Sequence, residues 1–372
     1  MVQPLKLQQL RRYALARSLF APTTLPRALA KLGFVQADPI RAPARAQDLT
    51  LRHRVAAYQA GDLERRYAKL RVEEDFFVNY GFVTPVVHAL MHPRTPRVAW
   101  TATQNKRAQS VLAFVQSQGV VHPRDVEAAF AHGRASNWFG GTSNVSTQLL
   151  DAMHYRGQLR VAGRDSGTRL YAVRKAIPPV DDAMTAFNTL VDVVVAKYAP
   201  LPEASLGQLL SHLARGGVPQ WQSLRNIVLT QTKQRLASAR VDGKTWYWPA
   251  VENPAASRWQ RWGESQAAQS VRLLAPFDPV VWDRRRFELF WGWAYRFEAY
   301  TPPAKRVRGY YALPLLWRDE VVGWGNLKVT DGCLQVDLGY VSGKAPREPE
   351  FAKALASELD QIAAFLGLNK FD

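Results

Sequence analysis

One arrangement of elements occurs more than once along this 372-residue chain: amphipathic helices followed by two short strands around a glycine-containing turn. The clearest copy has apolar positions at helical spacing over 103–118 and ends in predicted strands over 158–162 and 168–173. A second copy over 184–248 ends in a hairpin that turns at Asp242-Gly243, a strong hairpin signal. A third, less regular copy lies near the amino terminus. This arrangement is typical of winged-helix units.

The last hundred residues have a different pattern, with alternating, aromatic-rich segments separated by Pro302-Pro303 and Asp331-Gly332. Such spacing predicts an antiparallel meander or a small barrel. Strands are predicted over 286–300, 307–317, 321–329 and 333–340, and a terminal helix over 350–366. The predicted fold class is therefore α+β. The predicted domains are 1–96, 97–176, 177–252 and 253–372.

The composition is basic and of ordinary hydrophobicity. The chain has 49 Lys and Arg against 31 Asp and Glu, a formal net charge of +18, and 47% of its residues are hydrophobic. This excludes a disordered tail and favours a polyanionic partner, of which nucleic acid is the commonest. A single cysteine, Cys333, excludes an internal disulfide and a cysteine-rich metal or iron–sulfur site.

The sequence has no run of 18 apolar residues, and residues 1–10 show no apolar stretch followed by a cleavage site. We therefore predict a cytoplasmic protein that is neither secreted nor membrane-spanning. When bound to DNA it would be associated with the nucleoid.

Several catalytic motifs are missing from the sequence: a phosphate-binding glycine loop, a dinucleotide fingerprint, His-Glu-x-x-His and a nucleophile-elbow serine. His88 and His92 have helical i, i+4 spacing, but no acidic residue is close to them in sequence, which favours a chance pair on a polar helix face over a metal site. Glu73-Glu74-Asp75 is interpreted as a helix start. Neither a metal nor a cofactor is expected.

The most informative short segment is Gln36-Ala37-Asp38. If residues 34–40 are extended, Gln36 and Asp38 share one face, and Pro39 places them at an edge or end of a strand. The surrounding residues are rich in Arg and Lys, so the carboxylate stays ionised. A role for Asp38 in capping backbone donors ahead of Pro39 is an equally good interpretation from spacing alone.

Several segments together resemble one known family, the YcaQ-type (AlkX) branch of the AlkZ-like bacterial DNA glycosylases. The resemblance extends over nearly the whole chain. The segments that carry it are residues 33–40 (Gly-Phe-Val-Gln-Ala-Asp-Pro-Ile), Leu51-Arg52-His53-Arg54, Leu90-Met91-His92-Pro93-Arg94, Leu274-Ala275-Pro276-Phe277-Asp278-Pro279 and Tyr310-Tyr311-Ala312-Leu313-Pro314.

The resemblance implies three tandem winged-helix units followed by a carboxy-terminal β-barrel. It also implies removal of N7-alkylated purines, including unhooking of interstrand crosslinks, to leave an abasic site. The family signature is Gln, an apolar residue, then Gln or Asp. This chain has the Asp version, so the implied catalytic residues are Gln36 and Asp38. No lysine adjoins the pair in sequence, which favours monofunctional hydrolysis.

Basic residues near these segments are candidates for contacts with duplex DNA. Five follow the predicted catalytic strand, four lie in the two predicted hairpins, and two precede the aromatic-rich region. They are Arg41, Arg45, Arg52, His53, Arg54, Arg164, Arg169, Arg240, Lys244, Arg284 and Arg285. Tandem units make a monomer sufficient, because one chain can clamp the duplex through its phosphates.

Two other functions remain open from the sequence. A noncatalytic winged-helix regulator or architectural protein would bind a preferred operator, usually as a symmetric dimer. An RNA-binding or ribosome-associated factor would prefer single-stranded or A-form RNA.

Overall fold

The structure, a computed structural model, describes residues 4–131, 133–136, 142–265 and 269–368. The α-helices, numbered in chain order, are α1 (Leu7–Ser18), α2 (Leu25–Leu32), α3 (Ala46–Leu51), α4 (Asp62–Arg66), α5 (Pro85–Met91), α6 (Ala102–Gln118), α7 (Pro123–Phe130), α8 (Val145–Tyr155), α9 (Ala183–Tyr198), α10 (Glu203–Gly216), α11 (Arg225–Arg235), α12 (Ser257–Gln260), α13 (Arg284–Trp291) and α14 (Pro349–Leu366). Short 3₁₀ helices span Tyr67–Lys69, Pro219–Leu224, Arg261–Glu264 and Pro303–Lys305.

The strands are short except near the carboxyl end. In chain order they are β1 (Phe34–Gln36), β2 (Glu73–Phe76), β3 (Tyr80–Val83), β4 (Val120–Val121), β5 (Arg134–Ser136), β6 (Thr142–Asn144), β7 (Leu159–Asp165), β8 (Thr168–Val173), β9 (Leu201–Pro202), β10 (Ala237–Val241), β11 (Lys244–Trp248), β12 (Val271–Leu273), β13 (Leu313–Trp317), β14 (Glu320–Thr330) and β15 (Cys333–Tyr340).

The chain divides into two compact units. The first unit comprises Met1–Asp62, Asp192–Leu209 and Leu229–Asp372, and the second comprises Leu63–Val191 and Leu210–Val228. None of the helices in the described ranges has the length and apolar character needed to cross a membrane.

In the first unit, the turn from α2 into β1 depends on glycine. Gly33 ends α2 at φ +66°, and a Cβ at this position would lie 2.6 Å from Cγ1 of Val193 on α9. Any other residue would therefore be strained and would also push against α9. Phe34 and Val35 are then buried in the core, which fixes the position of β1 and of the residues that follow it.

The carboxy-terminal sheet of the first unit is antiparallel, in the order β12-β13-β14-β15. Gly323 and Gly325 of β14 pair with Leu315 and Leu313 of β13. Beside the sheet, α14 packs against β12. A closed barrel, implied by the resemblance, is not found among the described residues, because β12 and β15 lie at opposite edges and do not pair. The prediction of antiparallel strands is confirmed.

The predicted strand over 286–300 is wrong, because residues 284–291 form the helix α13. Asp283 caps this helix by accepting a hydrogen bond from the Arg286 backbone N–H at 3.1 Å. Phe287 and Phe290 are buried on one helical face, and Gly292 ends the helix in the left-handed conformation. The alternating aromatic residues favoured a strand in the prediction, but the capped helix forms over the first part of this segment.

The predicted order of elements in the two clearer copies is confirmed. In the second unit, α6, α7 and α8 precede the hairpin of β7 and β8, which joins β4 in an antiparallel sheet. Further along the chain, α9, α10 and α11 precede the hairpin of β10 and β11, which turns at Asp242 and Gly243 as predicted.

The helix start predicted at Glu73 is wrong, because residues 73–76 form β2, which pairs with β3. Glu74 and Asp75 are fully buried. Ion pairs with Arg164 and Arg94 compensate the two carboxylates, so this strand tolerates buried acidic residues.

Candidate active site

Gln36, the last residue of β1, is held by a tryptophan that is distant in sequence. Its Oε1 accepts a hydrogen bond from the indole Nε1–H of Trp282 at 2.8 Å. The Trp282 ring in turn packs on Tyr198, with 5.2 Å between ring centroids. Because an indole N–H can only donate, this contact also fixes which end of the Gln36 amide carries the oxygen.

Asp38 lies beyond the end of β1, so the argument from alternating strand faces does not reach it. A tight turn places it instead, because its Oδ1 accepts a hydrogen bond from the Ile40 backbone N–H at 2.9 Å. The backbone N–H of Asp38 donates to Oε1 of the buried Gln47 at 3.3 Å. The capping role anticipated from spacing is therefore present.

The capping bond occupies only one oxygen of the Asp38 carboxylate. Across the described residues, the carboxylate accepts one hydrogen bond, at Oδ1, and Oδ2 has none. The residue is 8% exposed. Burial raises the pKa of Asp38 above its ordinary value, and the Ile40 N–H works in the opposite direction. The site thus contains a desolvated carboxylate with one oxygen available to a ligand.

Two tyrosines of the first unit lie within electrostatic reach of Asp38. Burial raises the pKa of Tyr311, and the Asp38 charge raises it further. The same two causes, in the same order, raise the pKa of the exposed Tyr300. The buried Tyr311 hydroxyl has no hydrogen-bond partner among the residues that the structure describes.

Lys197 on α9 lies directly under β1. Its Nζ donates to the carbonyl oxygen of Phe34 and lies 4.6 Å from the centre of the Phe34 ring. Burial, followed by the charge of Arg54, lowers the pKa of Lys197 to about 7. The Lys197 amino group is a buried support for the strand that carries Gln36.

Three of the residues predicted to bind DNA have structural partners instead. The fully buried Arg54 pairs with Asp278, with Nη1–Oδ2 at 2.7 Å and Nη2–Oδ1 at 3.0 Å. Arg52 pairs with the buried Glu358 of α14, and the His53 Nε2 lies 3.2 Å from the Leu273 carbonyl oxygen. These side chains tie the segment after α3 to β12 and α14, so they are not available to a phosphate, contrary to the prediction.

The other two candidates in this stretch differ from each other. Arg41, three residues after Asp38, is exposed, whereas Arg45 is buried at the N-cap of α3. Arg41 therefore keeps the exposure that the prediction requires, and Arg45 does not.

The hairpin of β7 and β8 lies in the second unit, and its arginines are engaged. Arg164 makes a two-pronged ion pair with Glu74, at 2.9 and 2.6 Å. Arg169 lies 3.1 Å from the Asp151 carboxylate and over the Tyr80 ring. Arg164 is largely covered, so its part in the predicted interface is replaced by a contact within the fold, while Arg169 is partly exposed.

The hairpin of β10 and β11 presents its cations to solvent. Arg240 and Lys244 are exposed, and with Arg285 they line a groove of about 810 Å³ that also includes Glu203 and Glu288. Arg284 is half-buried, with Nη1 donating to the Val281 carbonyl oxygen and its guanidinium over the Tyr295 ring. The structure thus brings Arg240, Lys244 and Arg285 together and separates Arg284 from them.

One group in the described residues has the spacing of metal ligands: Asp75, His88 and His92, whose ligand atoms lie within 4.8 Å of one another. All three are buried, so the histidines do not lie on a polar face as predicted, and Asp75 is an acidic neighbour that sequence distance concealed. The Arg94 Nη1 donates to Asp75 Oδ1 at 2.8 Å, and the His92 Nε2 lies 2.6 Å from Oδ2.

The charge balance of this cluster is already complete. Burial works to raise the pKa of Asp75, but Arg94 and the bonds from His88 and His92 hold it well below its usual range. Burial lowers the pKa of His88 to about 3. A cation here would face the guanidinium of Arg94, so we interpret the cluster as a structural ion-pair network.

Sequence reasoning missed the residues that surround Gln36 and Asp38. Trp282 and Tyr311 are more than 240 residues from the pair, and only the tertiary fold brings them near. A signal was present nonetheless, because Tyr311 belongs to one of the segments that carry the family resemblance and Trp282 lies three residues after another.

Comparisons with known proteins identify the family of the chain. The family model described as DNA glycosylase AlkZ-like matches residues 29–365, a range that includes Gln36, Asp38, Trp282 and Tyr311. Among solved structures, the chain is similar in fold to Streptomyces sahachiroi DNA glycosylase AlkZ, with a TM-score of 0.61 and 14% sequence identity over 99% of both chains. The match to the family model covers most of the sequence, and the chain belongs to the AlkZ-like DNA glycosylase family.

Proposed function

We propose that this protein is a monofunctional DNA glycosylase that hydrolyses the N-glycosidic bond of N7-alkylated purines and leaves an abasic site. One observation carries the proposal: in a member of this family, Asp38 is a desolvated carboxylate whose Oδ2 accepts no hydrogen bond from the described residues, two residues after the anchored Gln36. The proposed catalytic residues are therefore Gln36 and Asp38.

The chemistry of the substrate suits a single carboxylate. An N7-alkylguanine carries a positive charge on its imidazolium ring, so it departs without a strong general acid. Loss of the base leaves a cationic, oxocarbenium-like deoxyribose. The carboxylate of Asp38 stabilises this cation, and Oδ2 accepts a proton from the attacking water as the new C–O bond forms.

Gln36 contributes a neutral amide to the same site. Its oxygen is engaged by Trp282, so we assign its Nε2 group to donate a hydrogen bond to the water or to the sugar phosphate. A fixed amide orients a ligand without adding a charge that would compete with Asp38.

The surroundings of β1 support hydrolysis over Schiff-base chemistry. Lys197 is the lysine held against β1, and its Nζ is buried and donates to the Phe34 carbonyl oxygen. A covalent intermediate needs an amine that reaches the sugar, which this buried group does not offer. The product is therefore an abasic site in an intact strand.

We further propose that interstrand crosslinks are substrates, as in the branch of the family with the Asp version of the signature. A base tethered to the opposite strand cannot flip freely into a deep pocket. A site at the end of a short strand, beside the exposed Tyr300 and Arg41, suits a lesion attacked in or beside the duplex.

DNA binding is assigned to the exposed cations of the first unit, Arg41, Arg240, Lys244 and Arg285. We propose that the helix-and-hairpin segments within 97–176 and 177–252 are winged-helix units. The exposed cations of the segment within 177–252, Arg240 and Lys244, bind the duplex through its phosphates. A monomer suffices for this arrangement.

The direct test uses duplex DNA with one N7-methylguanine, incubated with the protein and cleaved with alkali on a denaturing gel. A second duplex carries a nitrogen-mustard crosslink, and an undamaged duplex is the control. Cleavage at the lesion in both damaged duplexes is the expected result. Tight duplex binding without base release from either would overturn the proposal in favour of the noncatalytic regulator.

A further inference from the structure

A loop between α13 and β13 is tied into one shape by a buried carboxylate. Glu298 accepts hydrogen bonds from the backbone N–H groups of Val307, at 3.1 Å, and Arg308, at 2.8 Å. Its own carbonyl oxygen accepts the Thr301 N–H at 2.9 Å. Because Glu298 is buried, these bonds to both of its carboxylate oxygens hold the loop backbone in one conformation.

A second contact closes the loop on the sheet. The Asn326 side chain on β14 donates to the Arg308 carbonyl oxygen at 2.7 Å. Gly309 follows at φ +115°, and a Cβ there would collide with the Asn326 amide. The position therefore requires glycine for both its conformation and its close approach.

This well-anchored loop exposes large apolar side chains. Tyr300 is 74% exposed, Val307 75% and Tyr310 44%. Large apolar side chains grouped on one loop with a fixed backbone are typical of an interaction surface.

The exposed rings border the candidate active site. The Phe297 ring contacts Phe277, Tyr300 and Tyr311, with centroid distances of 5.2, 5.9 and 5.2 Å. Tyr311 is the buried tyrosine within electrostatic reach of Asp38. One packed aromatic cluster thus connects the loop surface to the surroundings of the carboxylate.

The charge of the loop matches a nucleic acid. Residues 296–310 contain four cations, Arg296, Lys305, Arg306 and Arg308, against the buried Glu298. The guanidinium carbon of Arg306 lies 5.0 Å from the Tyr310 ring centre. Aromatic faces interleaved with cations are the combination that binds unstacked bases and their phosphates.

We propose that Tyr300 and Tyr310 form a stacking platform for the DNA bases that are unstacked at the lesion, with Arg306 beside the adjoining phosphate. The platform rests on the proposed function and deepens it, because it says how the damaged nucleotide is kept next to Asp38. Its occupant is a nucleobase of the damaged duplex rather than a protein.

The test is a binding measurement that needs no catalysis. The probe is a duplex with 2-aminopurine beside a tetrahydrofuran abasic analogue, called here the abasic duplex. The comparison is the same duplex with an ordinary nucleotide in place of the analogue, called here the intact duplex. We expect Tyr300→Ala and Tyr310→Ala each to weaken binding of the abasic duplex about 10-fold, since the loss of one base–aromatic stack lowers affinity by about this factor. Their affinity for intact duplex should stay within about two-fold of wild type, because phosphate contacts dominate there.

Two controls separate the platform from general effects. Val251→Ala truncates a 92% exposed apolar side chain of the same unit and should leave both affinities unchanged. Tyr300→Phe keeps the ring and should retain the change in 2-aminopurine fluorescence on binding. Thermal unfolding of each variant should match wild type, because the replaced side chains are exposed.

The outcomes distinguish the platform from the glycosylase proposal. Equal binding and equal fluorescence changes in wild type, Tyr300→Ala and Tyr310→Ala would overturn the platform, whatever the rate of base release. If the wild-type protein releases no alkylated base but its binding of the abasic duplex depends on these tyrosines, the platform stands and the proposed function is overturned.

Discussion

The Trp282 indole donates a hydrogen bond to the Gln36 amide across 246 residues of sequence, with 2.8 Å between Nε1 and Oε1. This bond joins the end of β1 to the segment before α13. The bond orients the flexible Gln36 side chain, and Trp282, which lies outside the family signature, therefore determines that orientation.

Replacing the tryptophan tests this control. We expect Trp282→Phe to slow release of N7-methylguanine about 10-fold, because the amide loses a bond that contributes about 0.5–1.5 kcal/mol and its orientation is no longer fixed. Single-turnover rates measure the effect, and duplex affinity serves as the control. An unchanged rate would remove Trp282 from the account.

Two buried tyrosines, Tyr311 and Tyr295, predict different effects on stability. Tyr311→Phe should leave the free energy of unfolding unchanged or slightly higher, because its hydroxyl has no partner among the described residues. Tyr295→Phe should lower it by about 1 kcal/mol, because the Tyr295 hydroxyl donates to the Ala312 carbonyl oxygen at 2.6 Å.

Urea unfolding of both variants gives the comparison, with base release measured in parallel. We expect Tyr311→Phe to slow base release several-fold despite its intact fold, because it removes a polar group beside Asp38. A Tyr311→Phe protein as unstable as Tyr295→Phe would show that the hydroxyl has a structural role instead.

Lys197 should make stability depend on pH. Its pKa is lowered to about 7 in the fold, so between pH 7 and the ordinary lysine range the unfolded chain binds more protons than the native one. Stability due to Lys197 therefore rises with pH, with a slope of up to about 1.4 kcal/mol per pH unit. The stability contribution is lost as pH falls through the pKa of the folded state.

The matched variant is Lys197→Met, which has no titrating group. Its advantage in unfolding free energy over wild type should shrink as urea unfolding is repeated at rising pH from 7 to 9. Parallel curves for the two proteins would contradict a buried, titrating Lys197.

The proposed phosphate contacts predict a change in salt dependence. We expect the double variant Arg240→Ala and Lys244→Ala to reduce the slope of log affinity against log salt by about 0.9 per lost contact, with the fold intact. Titrations of undamaged duplex at several salt concentrations measure this. An unchanged slope would exclude both residues from the interface.

Arg54→Ala is the contrasting variant. It leaves the buried Asp278 carboxylate without its ion-pair partner, so it should destabilise the fold by about 3–5 kcal/mol. Any loss of DNA binding should then track the loss of folded protein.

Local signals in the sequence were sufficient for much of the fold. The hairpin at Asp242-Gly243 depends on backbone preferences within a few residues, and it is confirmed. Predictions from short-range patterns were wrong where a partner distant in sequence determines the environment of a residue. Asp75 is interpreted from the sequence as part of a helix start, but in the fold it is a buried strand residue bonded to Arg94 and His92. Arg54 is predicted to contact DNA, but it pairs with Asp278.

The candidate site divides in the same way. Gln36 and Asp38 could be named from a short motif and a family resemblance, and their catalytic roles stay predictions. Their surroundings could not, because Trp282 and Tyr311 reach them only through tertiary packing.

Asp38→Asn should remain folded. The asparagine oxygen can accept the Ile40 N–H as the carboxylate does. The pKa of Asp38 is raised in the fold, so its stabilising contribution is present at low pH and is lost as pH rises through that value. At neutral pH the variant should therefore be at least as stable as wild type.

The measurement that tests the central claim most directly is the single-turnover rate of N7-methylguanine release by wild type and by Asp38→Asn at neutral pH, with folding and duplex affinity verified for both. The account predicts a fall in rate of about 10³-fold at unchanged affinity, because the charge that opposes the sugar cation is gone. Equal rates in the two proteins would contradict the assignment of Asp38 as the catalytic carboxylate.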